Sequence, residues 1–276
     1  MNKQDKVTKQ DLIEAIKRSG YLFESEISNM LATNGFFVES NQVIRDPITQ
    51  KSREIDLTAE YYGKLEKESA EYKVCSKIRF VFEIKNNIFP LVLMTRFEFS
   101  PNIEIWESLK EIQTTPKGID WSSSESFYEK LLDNNEHLFT QYCSFNRKKG
   151  SKNNKLIAMH PEQIYAGLSK ITQYCEEEKD IWDDYEFDAF YRKFLYLPVL
   201  LIKDNLYEVE IDNHSIPTLH KVDESRLVFN YYFKGEPKIS TIFVVTQKGI
   251  KKFMDNMVKL ERMVEEEMVT AIKQTS

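Results

Sequence analysis

The sequence predicts an α/β protein in which a mixed central sheet is flanked by helices. Three observations lead there. Amphipathic helical stretches open and close the chain, one early segment alternates as a strand does, and another helix separates two groups of strand-like segments. Residues 9–18 (KQDLIEAIKR) have amphipathic spacing that Ser19-Gly20 interrupts, and a second helix is expected over 22–34 until Gly35 stops it. Strands are expected over 36–44 and 53–62 around a turn at Asp46-Pro47, and the charged residues 63–77 read as a hairpin tip or insertion. The run IRFVFEIK, 78–85, gives the clearest strand: Ile78, Phe80, Phe82 and Ile84 point one way, Arg79, Val81, Glu83 and Lys85 the other. Residues 86–160 show no sustained period, and NRKKGSKNNK, 146–155, reads as an exposed loop.

A helix is expected over 161–178, with proline at its start and Ile164, Leu168, Ile171 and Tyr174 on one face. Segments 194–203 and 206–211 read as a hairpin through Asp204-Asn205, followed by strands 226–233 and 240–245. The chain closes on a long helix, 247–273, whose Ile250, Phe253, Met257, Leu260, Val264 and Met268 are spaced to cover the sheet or to form a dimer seam. Residues 1–205 are read as one domain with 206–276 as a strand-helix extension packed on it, or both as a single domain.

Composition bounds the function. With 41% hydrophobic residues, 18 Phe and 14 Tyr against 8 Gly and 8 Pro, the chain is a packed protein rather than a linker or a disordered tail. Cys75, Cys143 and Cys175 are odd in number and far apart, which excludes a disulfide framework or a Cys-x-x-Cys knuckle and suits reduced thiols in the cytoplasm. The start of the chain has no signal-peptide character, and the longest apolar run, 194–202, is too short to span a bilayer, so no membrane association is expected. A net charge of −6 removes any general electrostatic case for nucleic-acid binding. There is no Gly-x-x-x-x-Gly-Lys phosphate loop, and the four histidines lack metal-ligand spacing.

Chemistry concentrates on two strands. Glu83 and Lys85 are two apart on the alternating strand, so an acid and a base project together while Phe82 and Ile84 anchor the backbone. In REIDLTA, Ile55, Leu57 and Ala59 are expected on one face and Glu54, Asp56 and Thr58 on the other, which would bring a second carboxylate beside the first. Asp56, Glu83 and the Ile84 carbonyl could hold Mg²⁺, or Mn²⁺ in its place, against a phosphodiester that gains charge as water attacks it. Lys85 would stabilise that charge or orient the water. A solvated face with a cross-strand ion pair would account for the same residues without function.

These residues resemble the PD-(D/E)xK nuclease superfamily, in its restriction-endonuclease-like branch: Asp56 in REID, then Glu83-Ile84-Lys85 in FEIKNN, after a helix carrying a glutamate. Residue 55 is isoleucine where the family often has proline. Helical geometry leaves Glu24 and Glu26 open as that glutamate, and the resemblance selects Glu24, which would bind metal through water or complete a second site. The resemblance implies a restriction-endonuclease-like core over residues 20–90 and more loosely to 205. It further implies a Mg²⁺-dependent DNA endonuclease acting in restriction or anti-phage defence. The alternative is a nuclease-like subunit without turnover that binds DNA or a protein partner, as a homodimer or within a larger complex. Arg147, Lys148, Lys149 and Lys152, near Tyr142 and Phe145, form a candidate phosphate-gripping group, with a solvated loop as the plainer reading.

Overall fold

The computed structural model describes residues 7–45, 51–61, 67–68, 73–96, 108–115, 126–132, 138–147, 155–183, 190–211 and 217–275. The turn expected at Asp46-Pro47 and most of the charged insertion lie outside them. Two helices, α1 (Lys9–Arg18) and α2 (Tyr21–Thr33), precede the strands β1 (Phe36–Arg45), β2 (Ser52–Tyr61), β3 (Lys67–Glu68), β4 (Lys73–Lys85), β5 (Leu91–Arg96) and β6 (Lys110–Thr114). After α3 (Phe127–Leu132) come β7 (Leu138–Arg147), β8 (Leu156–Met159) and α4 (Glu162–Asp183). Then follow β9 (Phe190–Ile202), β10 (Leu206–Ile211), β11 (Pro217–Val222), β12 (Glu224–Phe233), β13 (Glu236–Thr246) and α5 (Ile250–Thr275).

The strands form one mixed sheet in the order β1-β2-β4-β9-β13-β12-β7-β5-β10-β11, with β3 on β4, β6 on β9 and β8 on β7. β1, β2 and β4 are an antiparallel meander; α4 then returns the chain so that β9 runs parallel to β4 along its whole length. Apolar side chains fill both faces. On one, Phe23, Ile27 and Leu31 of α2 and the apolar stripe of α5 cover Phe80, Phe82 and Ile84. On the other, Ile164, Leu168 and Ile171 of α4 cover Val81, Leu200 and Ile202. The α/β class, the mixed sheet and the flanking helices agree with the sequence, and so does the closing helix, whose six named apolar residues are all buried within the chain. No helix among the described residues is long and apolar enough to cross a membrane.

One expected pairing is corrected. β9 and β10 are not a hairpin, although Asn205 does turn the chain with φ of 63°. One edge of β9 is taken by β4 and the other by β6 and then β13, which leaves residues 195–202 buried, so β10 pairs instead with β11 and, in parallel, with β5. Residues 86–160, which show no sustained period in sequence, supply four strands and α3 among the described residues. The amphipathic α1 buries no residue: Leu12 and Ile16 remain exposed, and the helix is held by a Thr8–Asp11 capping box.

Candidate functional site

β4 alternates as expected, with Phe80, Phe82 and Ile84 in one core cluster and Val81 in the other, so Glu83 and Lys85 lie under α4. β2 does not keep its alternation. Leu57 and Ala59 belong to the cluster under α2 and α5, while Ile55 belongs to the one under α4. The break has a cause on β1. Asn41, between Ser40 opposite Leu57 and Gln42 opposite Ile55, has φ of 56°, the left-handed region that asparagine tolerates. On either side of it β1 changes face: Ser40 Oγ meets Ser28 Oγ of α2 at 3.5 Å, whereas Gln42 Oε1 accepts from the Tyr174 hydroxyl of α4 at 3.3 Å.

Asp56 sits at this kink, and its carboxylate is fixed at both oxygens. Oδ2 accepts the Ile84 N–H at 2.8 Å, and Oδ1 meets Lys170 Nζ of α4 at 3.0 Å. Since a strand residue's N–H and C=O point to the same side, the Ile84 carbonyl is also directed toward β2. Glu83, only 2% exposed, pairs through Oε1 with Lys85 and through Oε2 with Lys170 Nζ at 2.6 Å. Asp56 and Glu83 thus converge on one cationic nitrogen, with Lys85 on the far oxygen of Glu83. Burial opposes the charge on Lys170, but Glu83 and Asp56 outweigh it and hold its pKa above the ordinary lysine value.

Glu24, in the first turn of α2, lies within the electrostatic influence of Asp56, Lys85, Glu83 and Lys170. Burial first, and then the Asp56 charge, push its carboxyl above the ordinary glutamate range against the pull of Lys85. Glu26 is turned elsewhere, with Gln247 Nε2 donating to it at 3.5 Å. Of the two helical acids it is Glu24 whose charge is coupled to the cluster.

Lys170 and Gly167 were not foreseen. A Cβ at Gly167 would collide with the Glu83 carboxylate, so glycine is what lets α4 lie directly on that side chain. A signal existed: glycine inside a helix costs about 1 kcal/mol against alanine, and this one lies on the buried stripe with Ile164, Leu168 and Ile171. Lys170 follows it by three residues and so shares its face.

A cleft of about 590 Å³ opens beside the cluster, lined by Lys85, Asn86, Ser144, Asn146, His160 and Gln163. Ser144 and Asn146 belong to β7, so the strand that ends in Arg147 is brought next to the site. Lys148, Lys149 and Lys152 lie outside the described residues. The donors Asp56, Glu83 and the Ile84 carbonyl are hard oxygens, which fit Mg²⁺ or Mn²⁺. Among the described residues no three His, Cys, Asp or Glu side chains are grouped to hold a metal, and Lys170 lies between the two carboxylates. No protein-family model, no curated protein and no solved structure matches the chain.

Proposed function

We propose that this chain is a divalent-metal-dependent nuclease of the PD-(D/E)xK type, an endonuclease that hydrolyses DNA phosphodiesters in the cytoplasm, in restriction or anti-phage defence. The observation that carries the reading is the convergence of Asp56 and Glu83 on one cationic position beside Lys85. The order of elements supports it: a glutamate-bearing helix, the Asp56 strand, the Glu83-Lys85 strand, the returning α4 and the parallel β9. Asp56, Glu83 and the Ile84 carbonyl would hold Mg²⁺ or Mn²⁺, with Glu24 acting through water. The ion would neutralise charge on the phosphate.

The chain's own groups divide the remaining work. The Ile84 N–H fixes the Asp56 carboxylate, and Gly167 lets the α4 backbone confine Glu83. Lys85, partly open to the cleft, places a positive charge where a non-bridging phosphate oxygen or an attacking water would sit. A nuclease-like subunit without turnover is the second reading. It is favoured by Lys170, whose ammonium already pairs with both carboxylates.

Manganese binding and cleavage separate the two. In the nuclease reading Mn²⁺ raises the melting temperature of the full chain, and plasmid or oligonucleotide DNA is cut in Mg²⁺ or Mn²⁺. Asp56→Asn removes both effects, while Lys85→Ala retains the Mn²⁺ shift and lowers cleavage by about 100-fold or more. A wild-type chain that neither shifts with Mn²⁺ nor cuts any substrate belongs to the second reading.

A further inference from the structure

We propose that an unpaired nucleic-acid strand runs from the Lys85 cleft across the exposed end of α4 to a second cleft, with its bases stacked on His160 and Tyr165. The inference rests on the nuclease reading for its functional setting and deepens it by naming the substrate class. The second cleft, of about 520 Å³, is lined by Tyr165, Lys179, Tyr232 and Lys238 above a floor that includes Glu176 and Tyr231. An aromatic run joins the two. Tyr142 and His160 have ring centroids 5.4 Å apart, His160 and Tyr165 5.7 Å, and Tyr165 and Phe229 5.4 Å.

His160 lines the first cleft and Tyr165 the second, so the exposed rings form the bridge between them. Tyr165 is 44% exposed, while Phe229 behind it is buried and stacked on buried Tyr231. An open ring braced from behind is a rigid platform for another flat group. Chemistry changes along the path in a way that suits a polynucleotide. Near Lys85 the walls carry the amides of Asn146 and Gln163, which can meet base edges, and at the far end Lys179 and Lys238 offer charge to the phosphates.

The strand must be unpaired, because a duplex hides its base faces in its own stack and presents only edges and backbone. Stacking also lessens the demand for a broadly basic surface, which a chain of net charge −6 does not offer.

The test is fluorescence anisotropy with the full chain in EDTA, where divalent-dependent cleavage cannot proceed. The probes are a labelled mixed-sequence oligodeoxynucleotide, its ribonucleotide counterpart and the same DNA as a duplex. Single strands are expected to bind at least about tenfold tighter than the duplex. Tyr165→Ala and His160→Ala should each weaken single-strand binding by about tenfold, and Tyr165→Phe should stay within about threefold of wild type. The two single-stranded probes reveal whether the sugar is read. Equal or better binding of the duplex, unchanged binding by both alanine variants, or no binding of any probe overturns the track. Cleavage in Mn²⁺ is assayed in parallel. Single-strand binding without cleavage sinks the hydrolytic reading alone, whereas cleavage indifferent to Tyr165 sinks the track alone.

Discussion

Two of the ion clusters beneath α4 are built on different terms. Under its later turns, Lys110 of β6 meets Glu176 at 2.6 Å and donates to the Ile239 carbonyl at 3.0 Å, while the Tyr231 hydroxyl donates to the same Glu176 oxygen at 2.6 Å. All three side chains are nearly inaccessible there. Under its earlier turns, the carboxylates of Asp56 and Glu83 pair with the ammoniums of Lys170 and Lys85, the charge of Glu24 on α2 acts on the same group, and Lys85 borders a cleft. The first cluster pairs an ammonium with a carboxylate among side chains that are nearly inaccessible, although they line the floor of a cleft; the other has an excess of acid and a partly exposed Lys85. A buried pair that is fully matched serves the fold, whereas an uncompensated carboxylate beside a cleft leaves an appetite for a cation.

The widest contrast is expected from removing one carboxylate from each. Glu176→Gln removes the charge that Glu176 sets against buried Lys110, and burial already holds the Lys110 pKa below the usual value despite Glu176. A loss of about 3–5 kcal/mol in urea unfolding is expected. Glu83→Gln leaves Lys170 on Asp56 and frees Lys85 toward solvent, so its loss should stay below about 2 kcal/mol. Equal losses would mean that the two clusters are both structural, and the distinction drawn from charge balance would fail.

Gly167→Ala tests how closely α4 is tied to the open cluster. Alanine gains up to about 1 kcal/mol of helix propensity, but its methyl group meets the Glu83 carboxylate, and overpacking costs about 1–3 kcal/mol. A net destabilisation of about 1 kcal/mol is expected, together with a weaker Mn²⁺-induced melting shift. A stabilised variant would show that Glu83 can leave its place at no cost, and the confinement argument would fall.

How much of this could be read in advance depended on how local the cause was. Glu83 and Lys85 were legible because alternation within a single strand fixes their face, and Phe82 and Ile84 flank Glu83 with apolar anchors. Asp56 was found by type and position, but for an incomplete reason: its aim is set by Asn41 on the neighbouring strand, which the sequence around Asp56 does not contain. Lys170 reads locally as an ordinary polar residue on an amphipathic helix, and only the crossover of α4 brings it over β2 and β4. The β9–β10 misreading has the same origin. Asp204-Asn205 is a genuine turn, but a stretch as apolar as 195–202 is drawn into the centre of the sheet, and its edges are then taken by partners distant in sequence.

The smallest effect probes the excess acid itself. Glu24 has a folded-state pKa raised above its unfolded value, chiefly by burial and by Asp56. Such a group favours the folded state fully only below the unfolded pKa near 4.5, and that contribution is lost as pH rises through the folded value. At pH 7 the ionised Glu24 therefore opposes folding, and Glu24→Gln should stabilise the protein. Because the group is partly open to solvent, the gain is about a few tenths of a kcal/mol. The gain should vanish by about pH 4 in paired urea titrations, and it should shrink in an Asp56→Asn background, where the charge that opposes Glu24 is gone. A gain that persists in acid, or one indifferent to Asp56, would remove Glu24 from the cluster and leave two carboxylates matched by two lysines, the balance of acid and base that marks the Lys110–Glu176 pair beneath the later turns of α4.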